Sequence, residues 1–421
     1  MAKRTTEVAP KPEQPAEYTV LARRYRPKQF DELIGQEPVA QALKNALTGG
    51  RVAHAYLFTG SRGVGKTSAA RILAKALNCE KGPTPTPCDK CDICTSIATG
   101  DDVDVLEIDG ASNRGIDNIR ELRQNAQLHP ARARYKIYII DEVHALSKDA
   151  FNALLKTLEE PPGRVKFIFA TTEAGKVPIT ILSRCQRFDF ALIATPRIAE
   201  HLRLIVKQEK LEADDAALEL VARRAAGSMR DAESLLDQLL AFGERLTPAL
   251  VHRMLGTASA ERISAIAEAA IGRDVKKSLE LLAVAQTEGA QAGELLDQLV
   301  EFWRDLLLVA SCGTTDLNVS ASPSLLQTLT KKTSVEAILA GLDILTAAKS
   351  RMKLSSYGKV LVEMAVIRLA RLDQMLSISD LWSAAQRGET AAVSNRIAPA
   401  NDGAMAEKKK LMNRVQMVPS L

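Results

Sequence analysis

"FTGSRGVGKTSAAR", Phe58 to Arg71, is the stretch from which the rest of the chain is best read. Gly60 and Gly65-Lys66-Thr67 fit the pattern G-x-x-x-x-G-K-[ST]. The spacing has a geometric reason. Glycines at 60, 63 and 65 let the backbone curl so that successive N–H groups face inward. A helix starting near Lys66 adds its positive dipole end. The run Gly60, Ser61, Arg62, Gly63, Val64, Gly65, Lys66, Thr67, Ser68 is thus a candidate phosphate cradle. Lys66 would reach the β- and γ-phosphates of a nucleoside triphosphate, and Thr67 would ligate Mg²⁺. With glycine at about 7% of residues, the pattern arises by chance in about one chain of this length in a hundred. A strand before it and a helix after it make chance a poorer explanation.

Both flanks are present. "AYLFTG" is an apolar strand entering the loop, and "SAARILAKALN" is a helix with Ala, Ile and Leu on one face. "VDVLEIDG", "KIYIIDE" and "VKFIFATT" supply three more short apolar runs with helical segments between them. That alternation, from Tyr18 to about Phe190, predicts a parallel α/β sheet. After "TPRIAEHLRLIVKQE" the strands stop. "DDAALELVARRAAG" and "MRDAESLLDQLLAFG" read as short helices, and "ERISAIAEAAIG" and "VEAILAGLDILTAAKSRM" show apolar spacings of three and four. The expected division is a disordered tail at 1–17 and an α/β domain at 18–195. A helical domain at 196–256 and a second at 257–380 follow, then a polar tail at 381–421.

"KIYIIDEVHAL" ends a strand on Asp141-Glu142. A carboxylate at a neighbouring strand tip can hold Mg²⁺, and the next residue can polarise an attacking water. Alone, the pair reads equally well as a solvated strand end; downstream of a phosphate loop it favours hydrolysis over mere binding. His144 follows the pair and has a place at the site or in packing. Thr172, at the tip of the fourth run, is placed to bond the γ-phosphate or the water. Arg184, in "SRC", lies one short helix further on, where it would point away from its own nucleotide toward a neighbour's; by position alone a surface salt bridge suits it better. Arg230, in "GSMRDAESLLDQ", opens a helix. A cation there is disfavoured by the helix dipole unless an anion is near, and a γ-phosphate would be that anion. "DEVH" also invites a helicase reading, but no Q-x-x-G-R-x-G-R segment accompanies it.

Of the 6 cysteines, Cys79, Cys88, Cys91 and Cys94 fall in "LNCEKGPTPTPCDKCDIC". Four thiolates within this reach suit tetrahedral Zn²⁺ in a closed, structural site. Free buried thiols would leave the bunching without a reason, and the iron–sulfur spacing C-x₂-C-x₂-C-x₃-C-P is absent. Cys185 and Cys312 read as packing residues. The chain of 421 residues is 46% hydrophobic and 25% charged, with a net charge of +5 that is too mild for a free-standing nucleic-acid binder. No apolar run suggests a membrane span, and "MAKRTTEVAPKPEQPAEYTV" carries no secretory core. The expected location is cytoplasmic.

Together these residues resemble the bacterial clamp-loader ATPases, the gamma/tau subunits of DNA polymerase III, which are AAA+ proteins. "LARRYRPKQFDELIGQEPV", "HAYLFTGSRGVGKTS", "LNCE", "CDKCDIC", "YIIDEVHALSKDAFNALLKTLEEPP", "FATTE", "VPITILSRC" and "GSMRDAESLLDQ" carry the likeness. It is strong from about Tyr18 to Gln238 and weaker to about residue 378, and the cysteine insertion discriminates most. The implied fold is an α/β P-loop AAA+ domain with a zinc-binding insertion, then an all-α lid domain and an all-α collar domain. The resemblance implies that Lys66 and Thr67 bind ATP phosphates and Mg²⁺, and that Asp141 holds Mg²⁺ while Glu142 activates water. Thr172 and Arg230 would be the sensors, Arg184 the finger acting in trans, and Arg23, Arg26 and Pro27 part of the segment over the base.

The implied function is ATP-driven opening of a sliding clamp and its loading onto primed DNA, near the nucleoid, inside a pentamer. The implied companions are delta- and delta-prime-type subunits. The family's longest members add C-terminal segments for the polymerase core and the replicative helicase, so those partners are less directly implied here. Polymerase activity would belong to the complex. "GASNRGIDNIRELR" is a candidate DNA contact: Ser112 or Asn113 would cap a helix meeting phosphates, with Arg114 and Arg120 beside it. An ordinary capped surface helix fits as well. Two rivals remain. A branch-migration helicase ATPase would lack the cysteines, and strands within 260–378 would favour it. A non-hydrolysing loader subunit would show a damaged loop.

Overall fold

The computed structural model describes residues 19–313 and 322–372, which fall into two units divided between Leu255 and Gly256. The tails expected at 1–17 and 381–421, and residues 314–321 and 373–380 of the second helical domain, lie outside the described residues.

The first unit is built on five parallel strands: β1 (Ala55–Gly60), β2 (Val105–Asp109), β3 (Lys136–Asp141), β4 (Val165–Thr171) and β5 (Gln186–Phe190), in the order β2-β3-β4-β1-β5. Side chains alternate across a strand, and each central strand feeds two cores. Tyr56, Phe58, Ile137, Ile139, Ile168 and Ala170 face one core, shared with the helices Glu37–Thr48 and Lys66–Asn78. Leu57, Tyr138, Ile140, Phe167 and Phe169 face the other, with the helices Ile116–Ala126 and Lys148–Glu159. Burial on both faces is why β1, β3 and β4 read as continuous apolar runs.

The four expected strands are present, and β5 is an addition. Its "QRFDF" buries only Phe188 and Phe190 and leaves Gln186, Arg187 and Asp189 exposed, the alternation of an edge strand. Phe58 meets Phe188 edge-on, with ring centroids 5.9 Å apart.

The same unit continues into helices Thr195–Gln208, Asp215–Arg224, Met229–Leu240 and Pro248–Leu255. Ile198, Leu202, Val221 and Leu236 form their core, which Leu21 and Ile193 join. Met229–Leu240 is capped by Ser228, whose Oγ accepts from Asp231 N. The second unit is helical. Its core gathers Ile266, Leu295, Leu299, Trp303 and Val366, and Gly341 leaves room for the Trp303 indole. Among the described residues of 260–372 there is no strand, the outcome that disfavours a branch-migration ATPase. No described helix is long and apolar enough to cross a membrane.

Candidate functional site

Parallel strands deliver their C-terminal ends to one edge, and that is where ligands sit in such sheets. β1 ends on Gly60, β3 on Asp141, β4 on Thr171, and Asp109 of β2 pairs with Asp141 in register. The loop leaving β1 needs its glycines. Gly60, Gly63 and Gly65 have φ of 144°, 75° and 105°, a region costly for other residues. The helix Lys66–Asn78 then starts on Gly65 with no side-chain cap. Its first N–H groups are therefore available to an anion.

Around this loop lies a cavity of about 470 Å³ lined by Arg62 through Ser68, Asp141 and Glu142. Lys66 is only 6% exposed, and its Nζ donates to the carbonyls of Gly60 at 2.8 Å and Ser61 at 2.7 Å. Burial lowers its pKa, while Glu142 and Asp141 pull it back up. Thr67 Oγ1 donates to Asp141 Oδ2 at 2.6 Å, which puts two oxygens side by side. That is the donor set a hard divalent cation takes. Glu142 holds φ at 46°, a left-handed conformation unusual for a residue with a side chain. Thr172 Oγ1 and N both donate to its Oε2, at 3.0 and 3.3 Å. The structure thus gathers Lys66, Thr67, Asp141, Glu142 and Thr172 into one continuous constellation.

His144, whose role the sequence left open, belongs beside it. Its Nδ1 lies 2.9 Å from Thr171 Oγ1 and 3.3 Å from Glu142 Oε2, and Nε2 lies 3.4 Å from Glu173. Arg230 lines the cavity from the helical side, and Arg26 and Pro27 from the N-terminal side. Burial lowers the Arg26 pKa, and Arg71 and Arg230 lower it further. Neither Arg26 nor Arg230 has a side-chain hydrogen bond or ion pair among the described residues. Both guanidiniums are free to take an anion. Arg23 lies elsewhere, exposed on the short helix Leu21–Arg24 and outside the cavity lining.

Several lining residues carry no local sequence signal. Leu33, Ile34 and Ile193 give the cavity an apolar wall. His201 and Glu233, paired at 3.1 Å, close it from the helical side. Glu107 and Asp109 line it from β2. These two are the exception: Asp109 ends the strand beside Asp141, and Glu107 precedes it by two residues, so the sequence held a signal for both.

The helical side touches the loop directly. Met229 N donates to the Gly63 carbonyl at 3.1 Å, and a Cβ on Gly63 would lie 1.9 Å from Ser228 Oγ. Gly63→Ala is therefore expected to displace the Ser228 cap and lower unfolding stability by about 1–3 kcal/mol. A denaturant titration against the parent chain checks this; an unchanged midpoint would contradict the close approach.

Arg184 is outside the cavity lining. Its guanidinium meets Glu159 Oε1 at 2.7 Å and the Thr180 carbonyl at 2.7 Å. Within one chain it makes the surface salt bridge that its position suggests, away from the chain's own site.

The four cysteines converge. The sulfurs of Cys79, Cys88, Cys91 and Cys94 all lie within 4.8 Å of one another, and Cys79 and Cys94 are buried. Thiolates bound at about 2.3 Å to one tetrahedral zinc lie roughly 3.8 Å apart, so the set fits that ion. The amides of Cys88, Cys91 and Cys94 each donate to the sulfur of the preceding cysteine at 3.4 Å. Backbone amides of Lys90 and Cys91 bring the Cys88 pKa down to about 6, whereas burial raises that of Cys94.

The helix at 116–126 departs from expectation. It starts on Gly115 with no side-chain cap. Ser112 Oγ donates instead to Asp109 Oδ2 at 2.6 Å, and Asn113 Nδ2 to the Asp109 carbonyl at 3.1 Å. Asp109, at the end of β2, outcompetes the helix for both side chains. Arg114 and Arg120 are exposed, Arg120 paired with Asp117 at 3.1 Å.

Three family models match in succession: "DNA polymerase III, delta subunit" over residues 35–194, "DNA polymerase III clamp loader subunit, ATPase lid domain" over 197–245, and "DNA polymerase III subunits gamma and tau domain III" over 246–384. The chain is 40% identical to DNA polymerase III subunit tau of Bacillus subtilis over 367 residues, covering 86% of this chain and 65% of that protein. It is 46% identical to the Escherichia coli tau subunit over 293 residues, 69% of this chain and 46% of that one. It is 41% identical to DNA polymerase III subunit gamma of Buchnera aphidicola over 286 residues, 68% of this chain and 79% of that one. The chain thus spans less than two thirds of the tau subunits it matches. Among solved structures, the Holliday junction branch migration motor RuvB of Thermotoga maritima aligns with a TM-score of 0.43 at 21% identity, covering 72% of this chain and 91% of that one. A likeness of that size has no bearing on function.

Proposed function

We propose a function from one premise: the chain belongs to the gamma/tau subunit family of DNA polymerase III. Its fold is accordingly the AAA+ one, a five-stranded parallel sheet followed by helical domains. On our reading it is the ATPase subunit of a clamp loader, binding and hydrolysing ATP to open a sliding clamp and set it on primed DNA. The observation that carries this is the constellation of Lys66, Thr67, Asp141, Glu142 and Thr172 at one end of the sheet.

In this proposal the amides from Gly63 to Thr67 and the Lys66 ammonium hold the β- and γ-phosphates. Arg26, Pro27 and the apolar wall cover the base, and Arg230 reports the γ-phosphate to the helical lid. Thr67 and Asp141 would hold Mg²⁺, which supplies charge neutralisation on the phosphates. Glu142 takes the proton of the attacking water, and Thr172 fixes the carboxylate that does so. The resident ion of the four cysteines is proposed to be Zn²⁺. We assign 18–195 to the ATPase domain, 196–256 to the lid and 257–380 to the collar. The proposed partners are the clamp, delta- and delta-prime-type subunits in a pentamer, and primed DNA reached through Asn113, Arg114 and Arg120. Such work places the protein in the cytoplasm, at the nucleoid.

Arg184 is proposed to exchange Glu159 for the phosphates of the adjoining subunit. Arg184→Ala, in a ring whose companion fingers are also removed, is then expected to keep ATP binding. DNA-stimulated hydrolysis should fall by about 10³–10⁵. Phosphate release with and without primed DNA and clamp tests this; undiminished stimulation would overturn the trans role.

A further inference from the structure

The cysteine loop holds more than itself. Asp89 lies between Cys88 and Cys91, with φ at 53°. One carboxylate oxygen accepts from Lys75 Nζ and the other from Gln29 Nε2. Lys75, 2% exposed, sits on the helix that begins at Lys66, and its Nζ also donates to the Lys28 carbonyl at 2.7 Å. Gln29 Nε2 donates in addition to the Pro87 carbonyl at 2.8 Å. Lys28 and Gln29 are not bystanders. They follow Arg26 and Pro27, and their amides donate to Glu32 Oε2 at 2.6 and 3.4 Å. Arg26, Pro27, Glu32, Leu33 and Ile34 form the N-terminal wall of the cavity. Asp89 therefore joins the helix that carries the phosphate loop to the segment that covers the base.

We infer that Asp89 is a positioning residue through which the cysteine module sets nucleotide affinity. The inference rests on the nucleotide reading of the cavity. A buried ammonium needs a paired anion, so Lys75 holds Asp89 in place, and Asp89 in turn holds Gln29. A wall fixed before the ligand arrives costs less to order on binding.

The test uses the full chain. Asp89→Asn removes the charge but keeps a residue type that tolerates left-handed backbone. Gln29→Leu breaks the same link from outside the cysteine loop. Affinity for ATPγS with Mg²⁺ is read by calorimetry, beside metal content and kcat for ATP. Each variant is expected to bind about tenfold more weakly, with kcat within about twofold. The double variant should bind no more weakly than either single, since one link is cut twice. Parent-like affinity in Gln29→Leu, or additive losses in the double, would overturn the inference. If Asp89→Asn loses its metal, the Gln29→Leu result decides alone. A parent chain that binds no ATPγS would instead sink the nucleotide reading.

Discussion

Lys66→Ala is expected to weaken ATP binding by on the order of 10²–10⁴-fold and, if the proposed function holds, to abolish clamp loading with it. Lys66 is the buried cation of the loop, and its ammonium already makes two hydrogen bonds there, to Gly60 and Ser61. A bound phosphate would take over those donors as charge-assisted contacts, each contributing about 1.5–3 kcal/mol. Alanine removes the charge and the donors but leaves the backbone cradle, because the glycines at 60, 63 and 65 set the loop's curl. The fold should survive, since the helix starting at Lys66 buries Ala69, Ala70, Ile72 and Leu73 whatever stands at its first position. Titration with a fluorescent ATP analogue measures the loss. Affinity within twofold of the parent would mean that the triphosphate does not lie on this lysine.

The second large effect separates binding from hydrolysis. Glu142→Gln is expected to keep ATP affinity near that of the parent and lower kcat by about 10²–10⁴. Glutamine preserves the acceptor that Thr172 holds from two donors, so the side chain keeps its place. What it loses is the capacity to accept a proton from water. Phosphate release under saturating ATP, with affinity measured in parallel, checks the pair of outcomes. A variant that binds poorly would assign Glu142 to nucleotide binding, and one that hydrolyses normally would remove it from the chemistry.

Local chemistry made the core of the site legible in the sequence. The loop's positive-φ positions fall within six residues, so the glycine spacing alone reports its shape. The four thiols fall between 79 and 94, and their convergence needs no knowledge of the fold. β1, β3 and β4 were legible because both faces are buried, which leaves no polar interruption in their runs.

Elsewhere the deciding neighbour lay outside the segment being read. The edge strand β5 has only Phe188 and Phe190 to announce it. His201 and Glu233 reach the cavity because the helices Thr195–Gln208 and Met229–Leu240 fold back onto it, Ile193 lies just ahead of the first of them, and nothing in their own segments says so. In "GASNRG" Ser112 and Asn113 were the two candidates for a helix cap. The competing acceptor was Asp109, at the end of the preceding strand, and it took Ser112 and Asn113. Asp89 shows the same limit: its sequence places it in the cysteine loop, while its partners Lys75 and Gln29 place it beneath the cavity wall.

The most direct measurement is an experimental structure of the chain with ATPγS and Mg²⁺. The expected result is β- and γ-phosphates against the amides of Gly63–Thr67 and Lys66 Nζ, the cation on Thr67 and Asp141, and the base beside Arg26, Pro27 and Ile193. A nucleotide bound elsewhere, or none held at saturating concentration, would contradict it.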